Sequence, residues 1–368
     1  MKVLRKNFYL LTFRFSAVMI REATEIKDIW MKTLAQIAEA VGVSQATVSR
    51  VVNGKPGVSD ETRQAVLHAM KELGTLPGEV AQAPGTLTVG VITPELTNPI
   101  FSEYLSAINI QLTQAKISTV LCVYSPSSAS EESCISLLIR QKVNGIIFFA
   151  GNYDTEGVDH SRYSALQENN IPAVFINCGS PDVKGKFYQT SDEEATIMAL
   201  RHLANQGHKR IGLLLGDRHH YPAVIRYNTA MKFAREHNLE MNDDLVYWTT
   251  YGIDSGRDGA QVLLHNDVTA IVCGNDQLAL GALRAAKLIN KSVPHDVSIT
   301  GFDDSAMLGS LIPALTTVRQ PVQAISRACV QGLLKMIQNS SVPTTHDVMS
   351  FEPELIVRES TAINPELL

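Results

Sequence analysis

Apolar positions along the 368-residue chain follow three successive rhythms. Between Thr33 and about Leu73 they recur at helical spacing within short segments. Leu34, Ile37, Ala38 and Val41 stand at i, i+3, i+4 and i+7, which puts them on one face of a helix. Thr33-Leu-Ala-Gln36 has the form of a capping box at its start, and Gly42 permits the left-handed residue that stops it. Ser44 is placed to cap a second helix with Val48, Val51 and Val52 inward, and Ser59 a third with Val66, Met70 and Leu73 inward. From Gly74 to Thr88 the pattern lapses into a Pro- and Gly-rich stretch that reads as a linker.

From Val89 onward, short β-branched runs alternate with amphipathic stretches. The runs predict strands at Val89–Thr93, Ser118–Tyr124, Gly145–Phe149, Ala173–Asn177, Arg210–Leu215, Ala270–Gly274 and Ser298–Phe302. Helices are predicted between them at Phe101–Ala115, Glu131–Gln141, Glu193–Gln206, Ile225–Asn238, Ser255–Leu264 and Gln277–Leu288. Such alternation implies parallel sheets covered on both faces. The strands are too many for one compact sheet, so the fold class is α/β with two lobes behind a small helical headpiece.

Two short helices joined by a glycine turn make a helix-turn-helix, in which the first props the second outward. The second helix can then enter a DNA major groove about 12 Å wide. Gln45, Ala46, Ser49 and Arg50 lie on its outward face. Gln suits adenine, Arg suits guanine, and Ala can touch a thymine methyl. Ser44, Thr47 and Asn53 suit phosphate contacts, which set register. A helical hairpin with no DNA role has the same pattern, and charge does not separate the two. Lys32, Arg50, Lys55, Arg63 and Lys71 are nearly matched by Glu39, Asp60, Glu61 and Glu72.

Composition narrows the classes. With 45% hydrophobic and 19% charged residues and a net charge of -5, the chain reads as soluble and globular, and any DNA contact must be local. No apolar run approaches the roughly 20 residues that span a bilayer. The five cysteines, Cys122, Cys134, Cys178, Cys273 and Cys329, form no CxxC pair and read as buried free thiols in a reducing compartment. Residues 1–30 mimic an export signal, but Arg14 interrupts their apolar run and no clean cleavage site follows. They read as an extension, disordered or not native, ahead of a start at Met31. Walker, GxSxG, HExxH and strand-borne GxGxxG motifs are all missing, so no enzyme, cofactor or metal site is expected. The adjacent His219 and His220 could suggest a metal, but two adjacent residues point in different directions on most backbones, so a loop-exposed pair is expected.

The run Gly42-Val-Ser-Gln-Ala-Thr-Val-Ser-Arg-Val-Val-Asn53 resembles the headpiece motif of the lactose-repressor (LacI/GalR) family of transcription regulators. The likeness continues through Val58-Ser-x-x-Thr62 and Glu72-Leu-Gly74 and then spans the body to about Ser360. It implies a DNA-binding set of Thr33, Ser44, Gln45, Ala46, Thr47, Ser49, Arg50 and Asn53, with Gln45, Ala46 and Arg50 reading bases. It further implies a homodimer, or a tetramer built from it, on near-palindromic double-stranded DNA in the cytoplasm. The implied layout is a headpiece at 31–75, a hinge at 76–88, and a periplasmic-binding-protein-like body at 89–368. Lobe 1 takes about 89–190 and 321–349, and lobe 2 about 191–320 and 350–368.

The hinge departs from the family pattern. Thr75 replaces the usual Tyr, Gly78 follows Pro77, Gln82 takes the Arg position, and Pro84 falls where a Leu wedges into the minor groove. Proline costs a helix interior about 3 kcal/mol and glycine up to about 1 kcal/mol, so a weak or absent hinge helix is expected. The alternative function is therefore a cytosolic small-molecule binding protein with weakened DNA binding.

In the family an effector sits between the lobes. Thr97-Asn-Pro-Ile-Phe-Ser102, Gln189-Thr-Ser-Asp192, Arg226, Gly274-Asn-Asp-Gln-Leu-Ala-Leu-Gly281 and Gly301-Phe-Asp-Asp304 match its blocks in order. The implied effector set is Asn98, Phe101, Asp192, Arg226, Asn275, Asp276, Phe302 and Asp303. Phe suits stacking, Arg a bidentate clamp, and Asp the acceptance of hydroxyl hydrogen bonds, which favours a carbohydrate, with a nucleoside or purine second. Each has a plainer account: an Asp at a strand end caps a helix or pairs with a base, Phe101 is core, and Arg226 pairs with a neighbouring carboxylate.

Overall fold

The first three helices show how little is needed to hold a headpiece together. In the computed structural model, which describes residues 34–52, 55–72, 87–125, 129–306 and 308–364, helix α1 covers residues 34–41. Gly42 follows it at φ +70°, with Val43 N donating to Ala38 O and Gly42 N to Glu39 O. That pair of bonds satisfies the last carbonyls of α1 and turns the chain sharply. Helix α2 (Gln45–Val52) starts on Ser44, whose Oγ accepts from Thr47 N at 3.1 Å. Helix α3 (Asp60–Glu72) starts in the same way on Ser59, through Thr62 N at 3.2 Å. Leu34, Ile37 and Ala38 pack with Val48, Val51, Val66, Ala69 and Met70 as one core. The expectations for residues 1–30, Thr33, Asn53, Leu73 and the hinge segment fall outside the described residues.

This headpiece belongs to one compact unit, Met1–Gly85, and the body forms a second, Thr86–Leu368. The body carries two six-stranded sheets. The first holds β1 (Thr88–Pro94), β2 (Ser118–Tyr124), β3 (Gly145–Phe148), β4 (Ala173–Ile176), β5 (Gly185–Thr190) and β11 (His346–Phe351). The second holds β6 (Ile211–Leu215), β7 (Val246–Trp248), β8 (Ala270–Cys273), β9 (Ser298–Asp303), β10 (Thr316–Arg319) and β12 (Glu354–Ile356). Their orders, β2-β1-β3-β4-β5-β11 and β7-β6-β8-β9-β10-β12, are the same doubly wound plan used twice. The pairings within them are parallel except for the antiparallel edge β10–β12.

Helices cover both faces of each sheet, so each sheet has two cores. On the first, α4 (Pro99–Gln114) and α11 (Val322–Gln338) bury Tyr104, Ile108, Leu112, Ile325 and Leu333 on one face. On the other face, α5 (Glu131–Arg140) and α6 (Ser161–Glu168) enclose Phe148, Tyr153, Tyr163, Phe175 and Phe187. On the second sheet, α7 (Asp192–Asn205) and α8 (Tyr221–His237) lie over one face and α9 (Ile253–His265) and α10 (Asp276–Leu288) over the other. All five cysteines are buried and unbridged. Among the described residues no helix is long and apolar enough to cross a membrane.

The two-lobed α/β class stands, with corrections at the seams. Strand β1 opens at Thr88, one residue inside the expected hinge, and β11 stays with the first sheet as far as Phe351, beyond the expected change of lobe after 349. Strands β5, β7, β10, β11 and β12 went unread, as did α6 and α11. Strands β5 and β11 carry polar and aromatic residues in place of a β-branched run, β7 and β12 are three residues long, and β10 is a four-residue strand, Thr-Thr-Val-Arg. Helix α11 has a fully formed apolar face, with Val322, Ile325, Cys329, Val330, Leu333 and Met336 buried.

The pairing of α9 with α10 depends on glycine. A Cβ on Gly256 would lie 2.8 Å from Leu278 Cα and O, and one on Gly281 would run into Arg257 N and Ile253 O. Backbone cannot yield as a side-chain tip can. Gly281→Ala is therefore expected to destabilise the body by about 1–3 kcal/mol or more, measured as a lower urea midpoint with an unchanged slope.

Candidate functional site

Parallel strands send their carboxyl ends to one edge of a sheet, and the loops that leave that edge bracket a crevice where the strand order reverses. Both sheets present such an edge to the same cavity, of about 460 Å³. From lobe 1 come the loop after β1 (Pro94, Thr97, Asn98), Phe101, and the loop after β3 (Gly151, Asn152, Asp154, Thr155), with Asn177 after β4. From lobe 2 come His220, Arg226, Tyr251, Asn275, Gln277, Phe302 and Asp303, and Thr190 and Gln320 enter from the strands that cross between lobes.

Of the eight expected effector residues, seven line this cavity: Asn98, Phe101, Asp192, Arg226, Asn275, Phe302 and Asp303. Several also have local work. Asn98 Oδ1 accepts from Ile100 N at 3.4 Å to cap α4, and Asn275 Oδ1 accepts from Leu278 N at 2.9 Å to cap α10. Arg226 is held on every side. Its Nε donates to Asp192 Oδ1 at 2.6 Å, its Nη2 lies 2.6 Å from the same oxygen, and its Nη1 donates to Gly274 O. Its plane rests on Phe302, with Cζ 3.7 Å from the ring centroid. Burial disfavours the guanidinium charge, but Asp192, Tyr251 and Asp303 together raise it and keep it protonated. Burial pushes the Asp192 carboxyl upward, and Arg226 opposes that.

Asp276 is a correction. It does not line the cavity: its carboxylate is 2% exposed and accepts from Thr317 Oγ1 at 2.6 Å and Ser305 N at 3.0 Å. Gly301 leaves the room for it, since a Cβ there would collide with Oδ1. Asp276 thus ties α10 to the loop after β9 and to β10, and burial pushes it up to about 7. Its neighbour Asp303 takes Gln320 Nε2 at 2.7 Å, and burial, then the nearby Asp276, drives it well above the usual carboxylate range.

Three features escaped the sequence. Gln320, from the second crossover, accepts from Tyr104 Oη at 3.0 Å and Thr190 Oγ1 at 2.9 Å while donating to Asp303. One amide so joins both lobes and two crossovers. His220 is not loop-exposed: it lines the cavity and stacks on Tyr251, and burial lowers its imidazole. Thr155 and His220 form an antiparallel bridge between lobes, beside Glu156 N donating to His219 O at 2.7 Å. Gln277 Nε2 donates to Thr97 O at 2.9 Å across the same gap. The His pair and the Gly274–Gly281 block, which carries Gln277, were marked in the sequence, whereas Gln320 and the Thr155–His220 bridge were not. Among the described residues no cluster of His, Cys, Asp or Glu is placed to hold a metal ion.

In the headpiece, Gln45, Ala46 and Arg50 are exposed while Val48 and Val51 on the opposite face are buried. Ser49 and Thr47 are half-buried, and Ser44 is exposed at the helix start. Ser44 Oγ also bonds Thr47 Oγ1 at 2.9 Å.

Two outcomes follow from the cleft. Asp192→Ala strands a buried guanidinium and is expected to cost about 3–5 kcal/mol of stability, read by urea unfolding. Asp154 is pushed up to about 7 by burial, from an ordinary value of 3.8. The folded chain therefore binds this proton more readily than the unfolded chain between about pH 4 and 7, so this group's contribution to stability falls as pH rises through that window. Asp154→Asn removes that share, and calorimetry from pH 5 to 8 is expected to show a melting temperature that falls less steeply with pH than the parent's.

Comparison with known proteins agrees with both units. The model of bacterial regulatory proteins of the lacI family matches residues 33–77, and a periplasmic binding protein-like domain matches residues 200–361. The regulator MalR of Streptomyces coelicolor is 40% identical over 337 residues, covering 90% of this chain and 97% of the relative. A transcriptional regulator CelR–cellobiose complex superposes with a TM-score of 0.67 at 27% identity, over 89% of this chain and 99% of that one. The lac repressor dimer bound to operator and an anti-inducer superposes with a TM-score of 0.65 at 29% identity, over 89% and 98%. The chain belongs to the lacI family of bacterial regulatory proteins.

Proposed function

We propose that this protein is a DNA-binding transcriptional repressor whose operator affinity is set by a sugar held between its two lobes. The observation that carries the reading is the division of labour on α2. Its inner face is committed to the core through Val48 and Val51, which leaves Gln45, Ala46 and Arg50 outward on a helix short enough to enter a groove. The MalR relative and the operator-bound lac repressor support the DNA role, and the cellobiose complex of CelR supports a sugar as the effector class.

Ligand binding between lobes joined by the Thr155–His220 bridge and the Gln320 amide shifts their closure. By linkage, operator and effector then change each other's affinity equally, typically by about 1–3 kcal/mol. The operator-bound dimer of the lac repressor supports a homodimer here too, in which two headpieces meet two half-sites of a near-palindrome. The cleft is read as one that binds without turnover, in a protein of the cytoplasm.

The test is fluorescence anisotropy of the full chain on palindromes upstream of its own operon, with and without maltose or cellobiose. Arg50→Ala is expected to weaken operator binding by about 1–3 kcal/mol, roughly 5- to 150-fold, while the thermal shift given by sugar stays unchanged. No loss of DNA binding in Arg50→Ala, or consumption of the sugar, would overturn the reading.

A further inference from the structure

Two loops from different lobes meet as one rung of an antiparallel ladder. Thr155 follows the 3₁₀ turn Asn152–Asp154 after β3, and His220 stands at the entry to α8. Both are extended, Thr155 at φ -114° and ψ 129°, His220 at φ -79° and ψ 122°. They pair as an antiparallel bridge, and the bond beside the pair runs from Glu156 N to His219 O at 2.7 Å. Successive residues of an extended segment point to opposite faces. Thr155 and His220 accordingly line the cavity, while Glu156 and His219 are exposed. Here a single pair of extended segments separates the cavity from solvent.

Each half of this strap is anchored in its own lobe. On the lobe 1 side, Glu131 Oε2 accepts from Asn152 N at 2.8 Å, and His160 Nε2 lies 2.9 Å from Asn152 O and 3.2 Å from Thr155 O. A Cβ at Gly151 would stand 2.5 Å from Glu131 Oε1, so the turn sits directly on that carboxylate. On the lobe 2 side, Asp217 Oδ1 accepts from His219 N at 2.8 Å, Asp217 O accepts from His220 N at 3.0 Å, and His220 stacks on Tyr251. Parting the two halves leaves the internal bonds of both intact. The bond that breaks joins groups that water takes up at small net cost.

Other contacts across the cavity differ in kind. Gln277 Nε2 donates to Thr97 O at 2.9 Å, and Glu103 Oε1 accepts from Ala306 N at 3.3 Å. A change of rotamer releases either one while the lobes stay still. Main chain held at both ends has no such freedom. Among the described residues, the Glu156–His219 bond is the one main-chain hydrogen bond across the gap outside the crossovers, so it opens only when the lobes move.

We propose that the Thr155–His220 strap is the gate of the cleft: a ligand enters and leaves by its parting, and that parting is tied to the angle between the lobes. The proposal rests on the effector reading for its ligand and adds to it the route and the moving part.

The test locks the gate with Thr155→Cys/His220→Cys. Residues paired beside such a bond have Cα atoms about 4.5 Å apart, within disulfide reach. Diamide takes two electrons and two protons from the thiols to form the disulfide and is itself reduced to the hydrazine. Exchange of radiolabelled maltose and cellobiose on the full chain is timed before and after oxidation, with the parent chain treated alike. Binding and release are expected to be at least about 100-fold slower in the oxidised form and restored by dithiothreitol. Glu156→Pro deletes the donated N–H where Thr155 already has the extended ψ that a following proline demands. It is expected to speed release by about threefold or more. A sugar that exchanges at one rate in the reduced and oxidised forms, or unchanged release in Glu156→Pro, overturns the gate and leaves the effector reading intact. If neither sugar binds the parent chain, the effector reading fails and hydrogen exchange decides the gate. Residues 94–98 and 274–277, which lie outside the strap, should then exchange at least about tenfold more slowly after oxidation. Unchanged exchange there overturns it.

Discussion

The Arg226 guanidinium lies almost wholly out of water, and a charge in that position must be matched on all sides or it would unfold its surroundings. Asp192 takes two of its nitrogens, the Gly274 carbonyl a third, and Phe302 its face. Those partners come from the start of α7, the end of β8 and the end of β9. Matching one charge thus fixes three strand-end loops of lobe 2 relative to each other. The lobe 2 floor of the cavity is rigid for that reason, and a ligand there meets surfaces that are already organised.

The opposite wall is organised differently. Lobe 1 holds its loop after β3 through Glu131, Tyr163 and His160 and so aims Asp154 without giving it a countercharge. The lobes touch through polar contacts that include the Thr155–His220 bridge, the Gln277–Thr97 bond and the Gln320 amide, and among the described residues no apolar core bridges them. Polar contacts of this kind exchange with water at small net cost. Two rigid walls joined by exchangeable bonds form a unit whose closure a ligand can set, which is what a reciprocal link between effector and operator requires.

Much of this was legible beforehand, for identifiable reasons. The headpiece is local: Gly42, Ser44 and Ser59 act within a few residues of themselves, so caps and periodicity place its helices without knowledge of the rest. The central strands were legible because burial on both faces demands unbroken apolar runs such as Ile211–Leu215 and Ala270–Cys273. Strands β7 and β12 were not, because three residues are too few to show a periodic or continuous run. Seven expected effector residues reached the cavity through motif position. Asp276 did not, since a motif fixes where a residue stands in the chain and not which way its carboxylate turns.

The helices of the headpiece, the exposed face of α2, the central strands and the two-lobed α/β plan were determined by the sequence alone, because each follows from neighbours within a turn or a strand. The charge balance of the cleft was decided only by tertiary structure. Asp154, Asp192, Arg226, His220 and Gln320 lie far apart in sequence, and whether a carboxylate meets an arginine or an empty wall depends on which strand ends the fold brings face to face. Electrostatic free energy in a buried site depends on distances across that gap, and no reading of residues in order contains them.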